Sequence, residues 1–167
     1  ALNSMAAAAE IAGNEKQAPE QSYLNGGALY DYYQTRDGRY LSVGSLEPQF
    51  MAGLAQLLEL PLVLEKGASL GADDRQQVKQ AVREKIAAKD FAEWNAIFQA
   101  QDVCVEPVLT LHEALHSELA AQRGWIAAVP LSAGSAETEP QPACPIKFSR
   151  SKIRYEFIGK KLGEDCL

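Results

Sequence analysis

The chain has 167 residues, 47% of them hydrophobic, and carries a formal net charge of −6. That length and composition suit one modest globular core, and the acidic balance argues against a surface that reads nucleic acid or an anionic membrane through clustered Lys and Arg. No apolar run reaches the length of a membrane-spanning helix, and neither a basic n-region nor an apolar h-region opens the chain, so a soluble, cytoplasmic protein with no membrane partner is expected.

Ala1 to Ala12 reads as an Ala-rich helix whose Leu2, Met5 and Ile11 give too little apolar surface to bury it alone. A chain that opens inside such a pattern, without Met, is expected to be a fragment. Gly13 to Asn25 is polar, with Asn14 and Pro19, and reads as a connector, after which a new unit begins near Gly26. Leu29–Thr35 and Arg39–Gly44 read as antiparallel strands joined at Asp37-Gly38, where Gly accepts a positive φ. In the second strand Leu41 and Val43 alternate with Tyr40 and Ser42, which puts the two pairs on opposite faces.

Pro48 fits the first turn of a helix that continues with Phe50, Leu54, Leu57 and Leu58 at helical spacing. Gly67 to Gly71 separates it from a second helix, Asp74–Ala88, striped with Val78, Val82 and Ile86. A third, Phe91–Ala100, starts with Asp90 and Glu93 placed as a capping box. Cys104–Leu109 is a short apolar run that Pro107 marks as an edge strand. Thr110–Arg123 reads as one or two short helices and Trp125–Val129 as a further strand, while Pro130–Pro145 has the composition of a solvated loop. Lys147, Arg150, Lys152, Arg154, Lys160 and Lys161 gather in the tail; with no Gly-rich loop or helix start to aim donors at phosphate, they read as a solvated face.

The expected architecture is α+β: a small antiparallel sheet begun by the Tyr-rich hairpin, with the helices at Pro48, Asp74 and Phe91 packed on one side. Residues 26–130 would form this small domain, 1–25 a helix and linker, and 131–167 a further linker.

Few residues offer chemistry by themselves. Cys104, Cys144 and Cys166 are odd in number and far apart, which predicts three reduced thiols. His112 and His116 lie four apart on a predicted helix, but without a third ligand nearby they read as surface histidines, and no metal is expected. Tyr30, Tyr32, Tyr33 and Tyr40 make an aromatic hairpin, more often a packing surface than a ligand platform. Glu47 stands where a strand ends and a Pro-started helix begins, and its side chain is too long to cap well. It is either an exposed helix-start Glu or a carboxylate, favoured in its ionised form by the helix dipole, that orients a protonatable partner across a cleft.

Gly26-Gly27, Tyr30, Tyr33, Thr35 and Asp37-Gly38, followed by Gly44-Ser45-Leu46-Glu47-Pro48-Gln49-Phe50, resemble the small-domain opening of the alpha-methylacyl-CoA racemase branch of the family III CoA-transferases (CaiB/BaiF type). Phe98 to Leu109 (FQAQDVCVEPVL), with Glu113 and Arg123 beyond it, and the weaker Pro145–Ser149 and Gly163-Glu164 agree with that resemblance, which spans nearly all of Leu2 to Leu167. Glu118-Leu119 departs from it, standing where many relatives carry Pro-His.

The resemblance implies a part of an enzyme that moves a proton at C2 of a 2-methylacyl-CoA thioester, which is its substrate; no cofactor is implied. Glu47 would support a catalytic His of a large domain upstream, and Tyr30 would line the acyl-CoA pocket. The full-length enzyme would be an interlocked homodimer, and the fragment alone would be inactive. The alternative is CoA transfer between carboxylic acids through an Asp-linked intermediate on the large domain. The Gly-rich loop of formyl-CoA transferases is missing between Gly67 and Pro145, which favours the racemase. A non-enzymatic interaction module is the minor reading.

Overall fold

The computed structural model describes residues 4–13, 29–69, 71–160 and 163. The connector expected at Gly13–Asn25 lies, after Gly13, outside the described residues, as does Cys166. The N-terminal Ala-rich pattern forms helix α1, Ser4–Ile11. The chain divides into two compact units, residues 1–108 and 109–167. No helix among the described residues is long and apolar enough to cross a membrane.

In the first unit, β1 (Asp31–Gln34), β2 (Tyr40–Val43) and β3 (Val105–Pro107) form an antiparallel sheet in the order β1-β2-β3. Tyr33 lies opposite Leu41, and Val43 faces Asp31 on one side and Val105 on the other. Because side chains alternate along a strand, this register collects Tyr33, Leu41, Val43 and Val105 on one buried face. Tyr32 and Tyr40 stay exposed on the other, so the expected aromatic packing surface is split and only Tyr33 enters the core. Gly38 takes φ 79° in the hairpin loop, as Asp37-Gly38 predicts. As an edge strand, β3 tolerates Pro107.

Four helices follow the hairpin: α2 (Pro48–Leu57), α3 (Leu62–Lys66), α4 (Ala72–Ile86) and α5 (Phe91–Gln99). On α2 the buried stripe is Met51, Leu54 and Ala55, continued by Leu58, while the expected Phe50 and Leu57 flank it half-buried. On α4, Val78, Val82 and Ile86 are buried as their spacing predicts. α3 has no counterpart in the sequence reading: its five residues are too few to show a period, although Val63 is fully buried.

The hairpin loop and the start of α5 hold each other. Asp90 and Glu93 complete the capping box, the Asp37 carboxylate accepts from the Phe91 amide at 3.0 Å, and Arg36 donates to Asp90 and Glu93 at 2.8 and 3.1 Å. Trp94 and Phe98 stack in the core with ring centroids 5.4 Å apart, and the Trp94 indole N–H donates to the last carbonyl of α4, Ile86, at 2.7 Å.

In the second unit, α6 (Leu111–Leu115) and α7 (Glu118–Arg123) are the two short helices expected there. Thr110 and Glu113 form a capping box for α6, Ser117 caps α7, and Gly124 ends α7 in the left-handed conformation. The predicted strand is present as β4 (Ile126–Pro130), and it pairs with β5 (Thr138–Pro142) as an antiparallel hairpin. This corrects the reading of Pro130–Pro145 as loop throughout. Its Pro and Ser content hides a strand that is possible because both members of a two-stranded sheet are edges. The Ile158 amide donates to the Pro130 carbonyl at 2.9 Å and the Tyr155 hydroxyl accepts from the Cys144 amide at 2.7 Å, so the tail returns along the hairpin.

Candidate functional site

The turn from β2 into α2 carries the only charged residue of its motif. Glu47 occupies the N-cap position with φ −73° and ψ 145°, and its carbonyl accepts the first helical bond, from the Met51 amide at 2.9 Å. Its carboxylate makes no capping bond and is exposed. A Ser or Asp here would turn back onto the helix amides; the longer Glu side chain is left free to accept from another group, beside the positive end of the helix dipole.

The residues just before it are fixed. The Gly44 amide donates to the Cys104 carbonyl at 2.8 Å, the Leu46 amide donates to the Gly44 carbonyl at 2.8 Å, and the fully buried Ser45 hydroxyl donates to the Val103 carbonyl at 2.5 Å. Cys104 presents its carbonyl from φ 53°, a conformation rare for residues other than Gly, Asn and Asp. Tyr30, partly exposed, lies over the same position: a Cβ at Gly44 would stand 3.5 Å from the Tyr30 ring and 3.5 Å from the Cys104 carbonyl oxygen. The structure therefore brings Tyr30 and the Glu47 turn to one end of the sheet.

This end is acidic. Burial pushes the half-buried Cys104 thiol above its ordinary value, and the negative charges of Asp102, Glu47 and Glu106 add to the effect. The shift disfavours the thiolate, which is the nucleophilic form of a cysteine. A groove of about 340 Å³ runs between α5 and β3, bordered by Asn95, Gln99, Asp102, Cys104 and Glu106. The Asn95 side-chain oxygen is buried there without a hydrogen-bond partner.

An isolated carboxylate cannot by itself take a proton from carbon and return it on the other face; it can hold and charge-stabilise a protonatable partner. Residues 29–108 contain no His to serve as that partner. The two imidazoles sit in the second unit, their rings tilted by 31° with centroids 4.2 Å apart, and His116 Nδ1 lies 2.8 Å from the His112 carbonyl oxygen. Among the described residues no group of three or more His, Cys, Asp or Glu is placed to hold a metal ion. Sequence reasoning missed Ser45 and the backbone of Cys104, since neither a buried hydroxyl nor a positive φ leaves a mark on the pattern of residue types.

The sequence pattern of CoA-transferase family III matches residues 1–166. The chain is 37% identical over 129 residues to the alpha-methylacyl-CoA racemase of Mus musculus, covering 77% of this chain and 32% of that protein. It is 34% identical over 154 residues to the alpha-methylacyl-CoA racemase of Homo sapiens, covering 89% and 39%. The chain therefore spans well under half the length of these relatives. Its fold matches the crystal structure of a CAIB/BAIF family protein from Brucella suis with a TM-score of 0.68 at 18% identity, over 98% of this chain and 42% of that one.

Proposed function

The chain belongs to CoA-transferase family III, and we propose that it is the small α+β part of an enzyme that, at full length, inverts C2 of a 2-methylacyl-CoA by proton transfer. The likeness to two racemases supports the substrate class. The observation that carries the reading on this chain is Glu47, an exposed carboxylate without a capping bond on a turn fixed to two carbonyls.

In this reading the C2–H bond breaks as a base takes the proton, the electron pair passes into the enolate of the thioester, and an acid on the opposite face returns a proton to C2. No electrons are gained or lost overall. Base and acid belong to the part of the enzyme outside this chain. Glu47 accepts a hydrogen bond from the base, fixes its orientation and stabilises its protonated form, and it also opposes proton loss from that group at rest. Tyr30 offers a partly exposed ring beside the same turn to the acyl-CoA. The enzyme needs no cofactor for this chemistry and works as a homodimer.

The test is to incubate the full-length protein with one epimer of a 2-methylacyl-CoA in D2O. Deuterium at C2 together with the opposite epimer supports proton transfer. Movement of CoA to an added carboxylate, with no label at C2, replaces it with CoA transfer.

A further inference from the structure

Burying a hydroxyl costs free energy unless it is hydrogen-bonded, and the core of the first unit is otherwise built almost wholly from apolar side chains. Ser45 is fully buried in it. Its hydroxyl donates to the carbonyl of Val103, 58 residues away. Val103 is held in turn, because its side chain is 3% exposed and reaches α2 so closely that a Cβ at Gly53 would stand 2.5 Å from its Cγ1. The neighbouring donor and acceptor repeat the arrangement, Gly44 N–H to Cys104 carbonyl at 2.8 Å.

Two successive residues of the turn are thus tied to two successive carbonyls, and two residues after Ser45 the backbone of Glu47 enters α2. The segment is pinned on both sides of the carboxylate. We infer that Ser45 is a positioning residue: through Val103, its hydroxyl fixes the direction in which Glu47 meets its protonatable partner. This rests on the role of Glu47 proposed above. It adds a residue that touches neither substrate nor base and that acts only through the placement of Glu47.

The test is a double-mutant cycle in the full-length protein, with Ser45→Ala, Glu47→Gln and the pair, reading kcat and KM for deuterium exchange at C2. Ser45→Ala is expected to lower kcat about 10- to 100-fold, the scale of a misplaced catalytic group, and to change KM less than about 2-fold. In the Glu47→Gln background the same substitution is expected to change kcat less than about 2-fold, since nothing is left to position. An equal loss in both backgrounds, or no loss in the parent, overturns the inference. An inert Glu47→Gln instead overturns the reading of Glu47 itself, and the single variant identifies that case. Should Ser45→Ala fail to fold, Ser45→Cys carries the same cycle, keeping a side chain of the same shape, slightly larger, with a weaker donor and an intermediate expected loss.

Discussion

The Gly44 amide and the Cys104 carbonyl meet at 2.8 Å, and they do so with Cys104 at φ 53°. A side chain in the left-handed region costs roughly 1–2 kcal/mol, which only Gly escapes. Cys104→Gly relieves that cost while giving up a half-buried side chain and adding unfolded-state entropy, so it is expected to leave stability within about 1 kcal/mol of the parent. Cys104→Val puts a β-branched residue at the same φ and is expected to cost roughly 1–3 kcal/mol. Thermal unfolding of the two variants checks the order; a Val variant as stable as the Gly variant would show that the carbonyl is not held in this conformation.

Asp31 ties β1 to α4 through Lys79 at 2.7 Å and Arg83 at 3.4 Å. Burial pushes its carboxyl up, but the hydrogen bonds from Lys79 and the Tyr32 amide, with the charges of Lys79 and Arg83, prevail and hold it below the ordinary 3.8. A lowered folded pKa means that the unfolded chain takes up the proton first. The stabilisation is therefore complete above the ordinary value and is lost as pH falls through the folded one. Asp31→Asn is expected to cost on the order of 1 kcal/mol at pH 7 and progressively less below pH 3.8. Melting temperatures of parent and variant across this range should converge toward acid.

Trp94 is 2% exposed, stacks on Phe98 and satisfies the Ile86 carbonyl at the end of α4. Trp94→Ala is expected to cost about 3–5 kcal/mol through the cavity it leaves. Trp94→Phe keeps most of the apolar volume but leaves the carbonyl only the longer bond from the Lys89 amide at 3.4 Å, for roughly 0.5–1.5 kcal/mol. Denaturant unfolding followed by circular dichroism distinguishes the two.

The hairpin, the stripe on α4 and the capping box of α5 were legible because each is a local pattern: a turn dipeptide, a period of about 3.6, a cap spacing. The α3 helix was not, since its five residues show no period, and β5 was not, since Pro140 and Pro142 belong to a composition that reads as loop. Glu47 was legible as a poor cap, and the structure leaves its carboxylate without a capping bond. What holds Glu47 in place was hidden, because the bonds from Ser45 to Val103 and from Gly44 to Cys104 join residues about 60 apart through backbone carbonyls that every residue type possesses.

Glu47 is expected to serve proton transfer and not the fold. An exposed side chain without a capping bond contributes little to stability, so Glu47→Gln should melt within about 0.5 kcal/mol of the parent. In the full-length protein the most direct measurement is the rate of deuterium incorporation at C2 of a 2-methylacyl-CoA by Glu47→Gln beside the parent. A loss of about 100-fold or more with the fold intact is the predicted result; incorporation at the parent rate would contradict it.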